Sequence, residues 1–246
     1  MSDFWERLRA TTPSRVGLGR AGTALPTRAV LEAGTAHALA RDAVHEPLDV
    51  DALLGPLRDL GLGDPVVVAS AAPDRTTYLT RPDLGRRPAA PLLLERTRPD
   101  LAVVLADGLS ARAVAAHGVP VLAAVLTELA AHEVALSVAP PVVATQSRVA
   151  LGDHVGAALG ARMVLVLVGE RPGLSAHDSL GAYLTWEPRP GVADSARNCV
   201  SNIRPPHGLD HVTAARTIGS LVAGARRLGA TGVRLKAGTT SPPEVV

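Results

Sequence analysis

Two stretches constrain this chain more than any others. Residues 101–106 read Leu-Ala-Val-Val-Leu-Ala and residues 163–168 read Met-Val-Leu-Val-Leu-Val, with no polar side chain in either. Such runs are short and end in turn residues, Asp107-Gly108 and Gly169-Glu170, which suits strands rather than helices. A strand with no polar face is covered on both sides, which is the condition of a parallel sheet between helices. Ligands of such sheets collect at the carboxyl ends of the strands. The loops that matter are therefore Asp107–Ser110, the segment around Gln146-Ser147-Arg148, and Gly169–Gly173.

Helical and extended patterns alternate along the rest of the chain. Residues 1–60 look helical. Asp3 can cap a short helix through Arg9, and Thr27 can cap another to His45, with Val30, Ala33, His37, Ala40 and Val44 on one stripe. A further turn or two is expected after Asp49. Strands are expected at 65–72, 134–143 (breaking at Pro140-Pro141), 181–186 and 233–236, with Arg75–Thr80 as an antiparallel addition. Helices are expected at 90–96, from Ser110 to His117, from Val119 to His132, at 150–159 and at 209–228. The tail, 237–246, reads as disordered.

Hydrophobic residues make up 47% of the 246 positions but aromatic ones only 2%, so the core must be packed from Ala, Val and Leu. The 25 basic and 23 acidic residues nearly balance, which gives no case for a nucleic-acid stripe. Lys236 is the only lysine. The arginine bias fits GC-rich coding, although each guanidinium also offers a planar fork of donors. Cys199 is the only cysteine, which excludes an internal disulfide or a cysteine zinc cluster. The start lacks the apolar core and cleavage site of a secretory signal. No stretch is read as the roughly 20 apolar residues of a membrane helix, so a soluble, intracellular protein is expected.

Several motifs invite chemistry and do not support it. GLGRAG (17–22) matches a dinucleotide fingerprint, the best argument for the alternative of a stand-alone nucleotide-binding Rossmann protein. The fingerprint needs a strand before it and a helix opening within it, whereas here TTPSR precedes and the helix waits until Thr27. His37, Arg41 and His45 share a helix edge at i,i+4 spacing, with Asp42 beside them, and no third oriented metal ligand. His177, Asp178 and Ser179 lack the G-x-S-x-G frame of a nucleophile elbow. Lys236 is a poor Schiff-base lysine.

Taken together, RVGLGRAGTALPT (15–27), ARDAVH (40–45), YLTRPDLGRR (78–87), VVLADGLSA (103–111), SRVALGDHVGAALGA (147–161), VGERPGLSAHDSLGAYLT (168–185) and RNCVSNIRPP (197–206) resemble the small (light) subunit of ethanolamine ammonia-lyase. The blocks occur in the family's order from about residue 13 to 228, and GERPGL and NCVSNI are the most specific.

The resemblance implies a helical N-terminal region (1–63) that contacts a large subunit, and a Rossmann-like, cobalamin-binding parallel-sheet core (64–236). It implies adenosylcobalamin as cofactor, ethanolamine as substrate, acetaldehyde and ammonia as products, and a site completed only in the hetero-oligomer. It further implies a cytoplasmic setting, or a bacterial microcompartment, with no membrane or nucleic-acid partner. The D-x-H-x-x-G signature of one corrinoid class is absent, so cobalt would keep the cofactor's own base. Carried over by motif, Val149, Glu170 and Cys199 contact the cofactor. Glu170 can accept from corrin amides, Val149 offers a dry wall, and Cys199 acts as a small apolar contact rather than a nucleophile. Arg171 could reach an amide carbonyl or the nucleotide phosphate, or pair with a carboxylate such as Glu170, and the sequence leaves both open.

Overall fold

The computed structural model describes residues 2–131 and 136–236. The chain runs α1 (Ser2–Ala10), α2 (Thr27–His45), α3 (Asp51–Arg58), β1 (Val66–Ala69), α4 (Arg75–Thr80), β2 (Leu101–Ala106), α5 (Ala111–Ala131), β3 (Val142–Thr145), α6 (Leu151–Leu159), β4 (Met163–Gly169), β5 (Leu180–Trp186), β6 (Arg197–Ile203) and α7 (His211–Leu228). The strands form one sheet in the order β1-β3-β2-β4-β5-β6. This is an α/β fold, as the two apolar runs require. Leu101, Val103 and Leu105 of β2 pack toward α3, α5 and α7, while Ala102, Val104 and Ala106 pack toward α6.

The expectation of a parallel sheet is corrected to a mixed one. β1, β3, β2 and β4 are parallel, but β5 and β6 are antiparallel additions. The connections after β4 and β5 contain no α-helix, so they provide no helical crossover and each strand returns beside the one before. β6 went unrecognised in the sequence. Its alternation breaks where the pairing shifts between Leu180 and Ala182, leaving Val200 and Ile203 as its buried apolar members.

Other elements also differ from expectation. Arg75–Thr80 is helical because Asp74 caps it, accepting from the Thr77 N–H (2.8 Å) and hydroxyl (3.0 Å). Residues 90–96 form neither helix nor strand; Leu92 and Leu94 pack inward while Leu93 is 97% exposed, an alternation foreign to a helix. The two helices expected between Ser110 and His132 are one, α5, which carries Pro120 and Gly118 without breaking. Its 21 residues are long and apolar enough to cross a membrane, contrary to the expectation that no stretch is. However, Ala113, Val114, Val121, Leu122 and Val125 are fully buried in the core between sheet and α7. β3 begins only after the Pro140-Pro141 pair; residues 132–135, which include the end of the expected helix and the first two residues of the expected strand, and the tail 237–246 lie outside the described residues, as does the Asp3 side chain. Residues 232–234 form a 3-10 turn instead of a strand. Helix α2 starts at Thr27, with Pro26 at the cap position and no side-chain cap.

The apolar stripe on α2 is displaced. Ala29 and Ala43 are buried and Ala33, Ala36 and Ala40 half-buried, whereas Val30 and His37 face out. The helix thus turns its small residues inward and leaves Val30, Leu31 and Leu39 exposed. Leu53 and Leu57 of α3 belong to the main core.

Candidate functional site

The connections from β2 and β3 position the site. β2 leads through α5 to β3 on one side, and β3 leads through α6 over β2 to β4 on the other. Where the path reverses, the carboxyl ends of the strands open into a crevice. All three loops singled out in the sequence meet there. A cleft of about 570 Å³ is lined by Gly108 and Leu109, by Arg148, Val149 and Ala150, by Val168 to Arg171, and by Tyr78, Arg86, Tyr183 and Asp194.

Asp107 organises the floor. Its carboxylate, 2% exposed, accepts from the backbone N–H groups of Gln146 and Ser147, both at 2.8 Å, and lies 3.5 Å from Arg75. Burial raises its pKa, with the two N–H donors and Arg75 opposing the rise. The β2 and β4 loops cross at two glycines. Gly108 has a left-handed φ of 55°, and a side-chain carbon on Gly169 would fall on the carbonyl oxygen of Ser110 and 2.6 Å from that of Asp107. The Leu109 N–H donates to the Gly169 carbonyl at that crossing (2.9 Å).

Glu170 reaches across the sheet end. Ser179 Oγ donates to its Oε2 at 2.6 Å, the Asn202 N–H donates to the same oxygen at 3.2 Å, and Ser201 Oγ donates to Oε1. Gly181 makes room, since a Cβ there would stand 2.8 Å from Oε1. Glu170 therefore does not pair with Arg171 across the turn; Arg171 is exposed on the cleft rim and has no partner among the described residues. This resolves one alternative left open by the sequence.

Beyond Glu170, on the same side of the sheet as α6, stands Tyr183 with its cross-strand partner Cys199. Val149 and Glu170 line the cleft itself, and Cys199 sits one strand beyond Tyr183 on the same face. Cys199 is exposed, not buried as expected for an inert free cysteine. Its thiol is nevertheless held above its usual pKa, chiefly by desolvation and also by the Glu170 charge, while Tyr183 works the other way. A raised pKa means less thiolate. Iodoacetamide at pH 8 should therefore alkylate Cys199 more slowly in the folded chain than in urea; faster reaction in the folded chain would show an activated thiol.

A buried ion pair joins the two walls. Arg197, two residues before Cys199, donates bidentately to Asp153 of α6 (2.6 and 2.7 Å) and also to Thr185 Oγ1 and the Val192 carbonyl, both at 2.9 Å.

The discarded motifs hold structural positions. GLGRAG follows α1 and forms a loop closed by an Ala21–Ala24 bridge. Ser179 serves Glu170, Asp178 lies 3.8 Å from Arg204, and the His177 carbonyl accepts from Ser110 Oγ at 2.8 Å. His37, Arg41 and His45 are exposed, as is Lys236. Sequence reasoning missed Tyr78 and Tyr183. They are the chain's only two tyrosines, and both line the cleft, so the scarcity of aromatics was itself a usable signal.

The comparisons agree with this arrangement of motifs. The family model described as ethanolamine ammonia-lyase light chain (EutC) matches residues 2–236. An ethanolamine ammonia-lyase small subunit of Rhodococcus erythropolis is 54% identical over 234 residues, covering 95% of this chain and 90% of the relative. Small subunits of Azotobacter vinelandii and Xanthomonas campestris pv. campestris are 50% and 52% identical, over 94% and 95% of this chain and 87% and 88% of their own. With the family model spanning both walls of the cleft and relatives at about half identity end to end, the chain belongs to the ethanolamine ammonia-lyase light-chain family.

Proposed function

We propose that this chain closes one side of an adenosylcobalamin site whose other side is supplied by the large subunit of ethanolamine ammonia-lyase. As a light chain it is a subunit of an ammonia-lyase. The observation that carries the reading is the meeting of Val149 and Glu170 in one open cleft, with Cys199 on the same sheet face. When bound, adenosylcobalamin supplies the radical that starts the conversion of ethanolamine to acetaldehyde and ammonia.

The residues present fit a flat, amide-rimmed macrocycle. Gly181, Cys199 and Ser201 keep the sheet face low, and Val149 is a dry wall. The carboxylate of Glu170 has about four acceptor positions, of which Ser179, Ser201 and Asn202 occupy three. One is left for an amide N–H. The cleft is open on one side, in keeping with a second polypeptide completing it. The parallel half of the sheet serves as a Rossmann-like platform within residues 64–236. Residues 1–63 meet the large subunit through Val30, Leu31 and Leu39, which are 53%, 66% and 39% exposed. Such apolar exposure on a helix is a docking signature. Arg15 already holds the 13–28 arm to the loop beyond Glu170, donating to the Leu174 carbonyl at 3.2 Å. The complex is read as cytoplasmic, and co-purification with shell proteins would test enclosure in a microcompartment.

The test is co-expression with a large subunit. The chain alone should show no turnover, and the co-purified complex should show the absorbance of bound cobalamin. Glu170→Ala should weaken cobalamin retention about tenfold, the scale of losing a hydrogen bond to a charged group. Turnover by the chain alone, or unchanged cobalamin affinity in the variant, would refute the corresponding part.

A further inference from the structure

We infer that Arg148 is the cleft's donor to the cofactor, directed at an acceptor oxygen on the corrinoid; this rests on the cobalamin reading above. Two arginines flank the ring of Tyr78, each with its guanidinium carbon 4.8 Å from the ring centroid. One of them is spent on the fold. Arg75 donates to the carbonyls of Val44 (2.6 Å) and Gly108 (2.9 Å) and stands beside Asp107. Arg148 has no such partners. Its side chain makes no hydrogen bond or ion pair among the described residues, it lines the cleft, and its Nε is buried with no acceptor.

The residue is held in place for this. Its backbone N–H donates to the Gly85 carbonyl at 2.8 Å, and the Tyr78 hydroxyl donates to the carbonyl of the preceding Ser147 at 3.1 Å. Gly85 leaves space where a Cβ would stand 2.8 Å from the Tyr78 ring and 3.2 Å from Arg148 Cγ. A guanidinium stacked on a ring and partly withdrawn from water carries an unmet desolvation cost, which a ligand oxygen would relieve. The other cleft arginines differ, since Arg86 faces Asp194 at the rim (3.8 Å) and Arg171 is fully on the surface. Arg148 thus complements Glu170, one wall donating and the other accepting, as an amide-bearing ligand requires. The acceptor is either a corrin amide carbonyl or the phosphodiester of the nucleotide loop.

The test uses the complex of the full chain with a large subunit, and cyanocobalamin and cobinamide as probes, titrated by absorbance. Arg148→Met keeps the stem against Tyr78 and removes the donors; Arg148→Lys keeps the charge and loses the fork. Arg148→Met should weaken cyanocobalamin about 10- to 100-fold, with Arg148→Lys between, at an unchanged unfolding midpoint without cofactor. An equal loss with cobinamide, which lacks the phosphate, assigns the amide carbonyl; a loss confined to cyanocobalamin assigns the phosphate. If the wild-type complex binds cobalamin and Arg148→Met binds it within twofold, this inference fails and the cobalamin reading stands. If the wild-type complex binds neither probe, both fail. If neither variant assembles, Arg148 belongs to the fold and the inference is overturned.

Discussion

Replacing Asp153 by alanine is expected to lower the unfolding free energy by about 3–5 kcal/mol, because it strands the Arg197 guanidinium in the interior. The Asp153 and Arg197 side chains are 1% and 2% exposed, so water cannot take over the lost bonds. Thr185 and Val192 would still accept from Arg197 but carry no charge, and the Asp194 carboxylate, 3.4 Å from Arg197 Nε and 75% exposed, is too solvated to replace the bidentate pair. In a chain of this size each kcal/mol moves the unfolding midpoint by roughly 2–4 °C, so a fall on the order of 10 °C should appear in a thermal melt. A paired change, Asp153→Leu with Arg197→Met, should recover much of the loss, since removing both charges removes the desolvation problem. A single-variant loss under about 1 kcal/mol would mean the pair is hydrated in solution. The consequence reaches the site. Asp153 lies one turn beyond Val149 and Arg197 just before Cys199, so the pair sets the spacing of the two cleft walls.

Gly169→Ala should be comparably severe, and for a different reason. The added carbon meets two backbone carbonyl oxygens, Ser110 and Asp107, and neither is the end of a flexible side chain. Asp107 and Ser110 are themselves tied, through Gln146, Ser147 and the start of α5, to the same loop cluster. Relief therefore requires moving a whole loop, and a loss of about 3 kcal/mol or more is expected, at the upper end for overpacking. If the proposed cobalamin site holds, cofactor retention by the complex with a large subunit should fall with it, since Glu170 is the next residue. Gly173→Ala is the control four residues on. Its nearest neighbour, the Ala176 carbonyl oxygen, would be 3.9 Å away, so equilibrium unfolding should change by less than about 0.5 kcal/mol. Equal effects at the two glycines would refute the crossing geometry.

That contrast shows how unevenly the chain could be read. Both glycines bracket the same motif, and nothing local separates them; only the β2 loop lying across Gly169 does. The buried strands β2 and β4 were legible because a strand covered on both faces has no polar position to disguise it. Helices α6 and α7 were legible from helical periodicity. β6 was not, because its inward residues are few and its pairing is interrupted. Residues 90–96 misled for the opposite reason, Pro91 and the leucines fitting either period until the sheet edge chose one. On α2 the larger apolar residues drew the stripe toward Val30, whereas the isolated chain buries the alanines.

Local composition was enough to establish an α/β core, three loops at strand ends and the motif blocks that carry the family. Apolar runs, turn residues and short motifs are properties of neighbouring positions. Which groups answer one another was settled by packing alone: Glu170 with Ser201, Asp153 with Arg197, Tyr78 with Arg148. Partners separated by tens of residues leave no spacing to read, since a hydrogen bond or a stack depends on distance in space and the chain records only order.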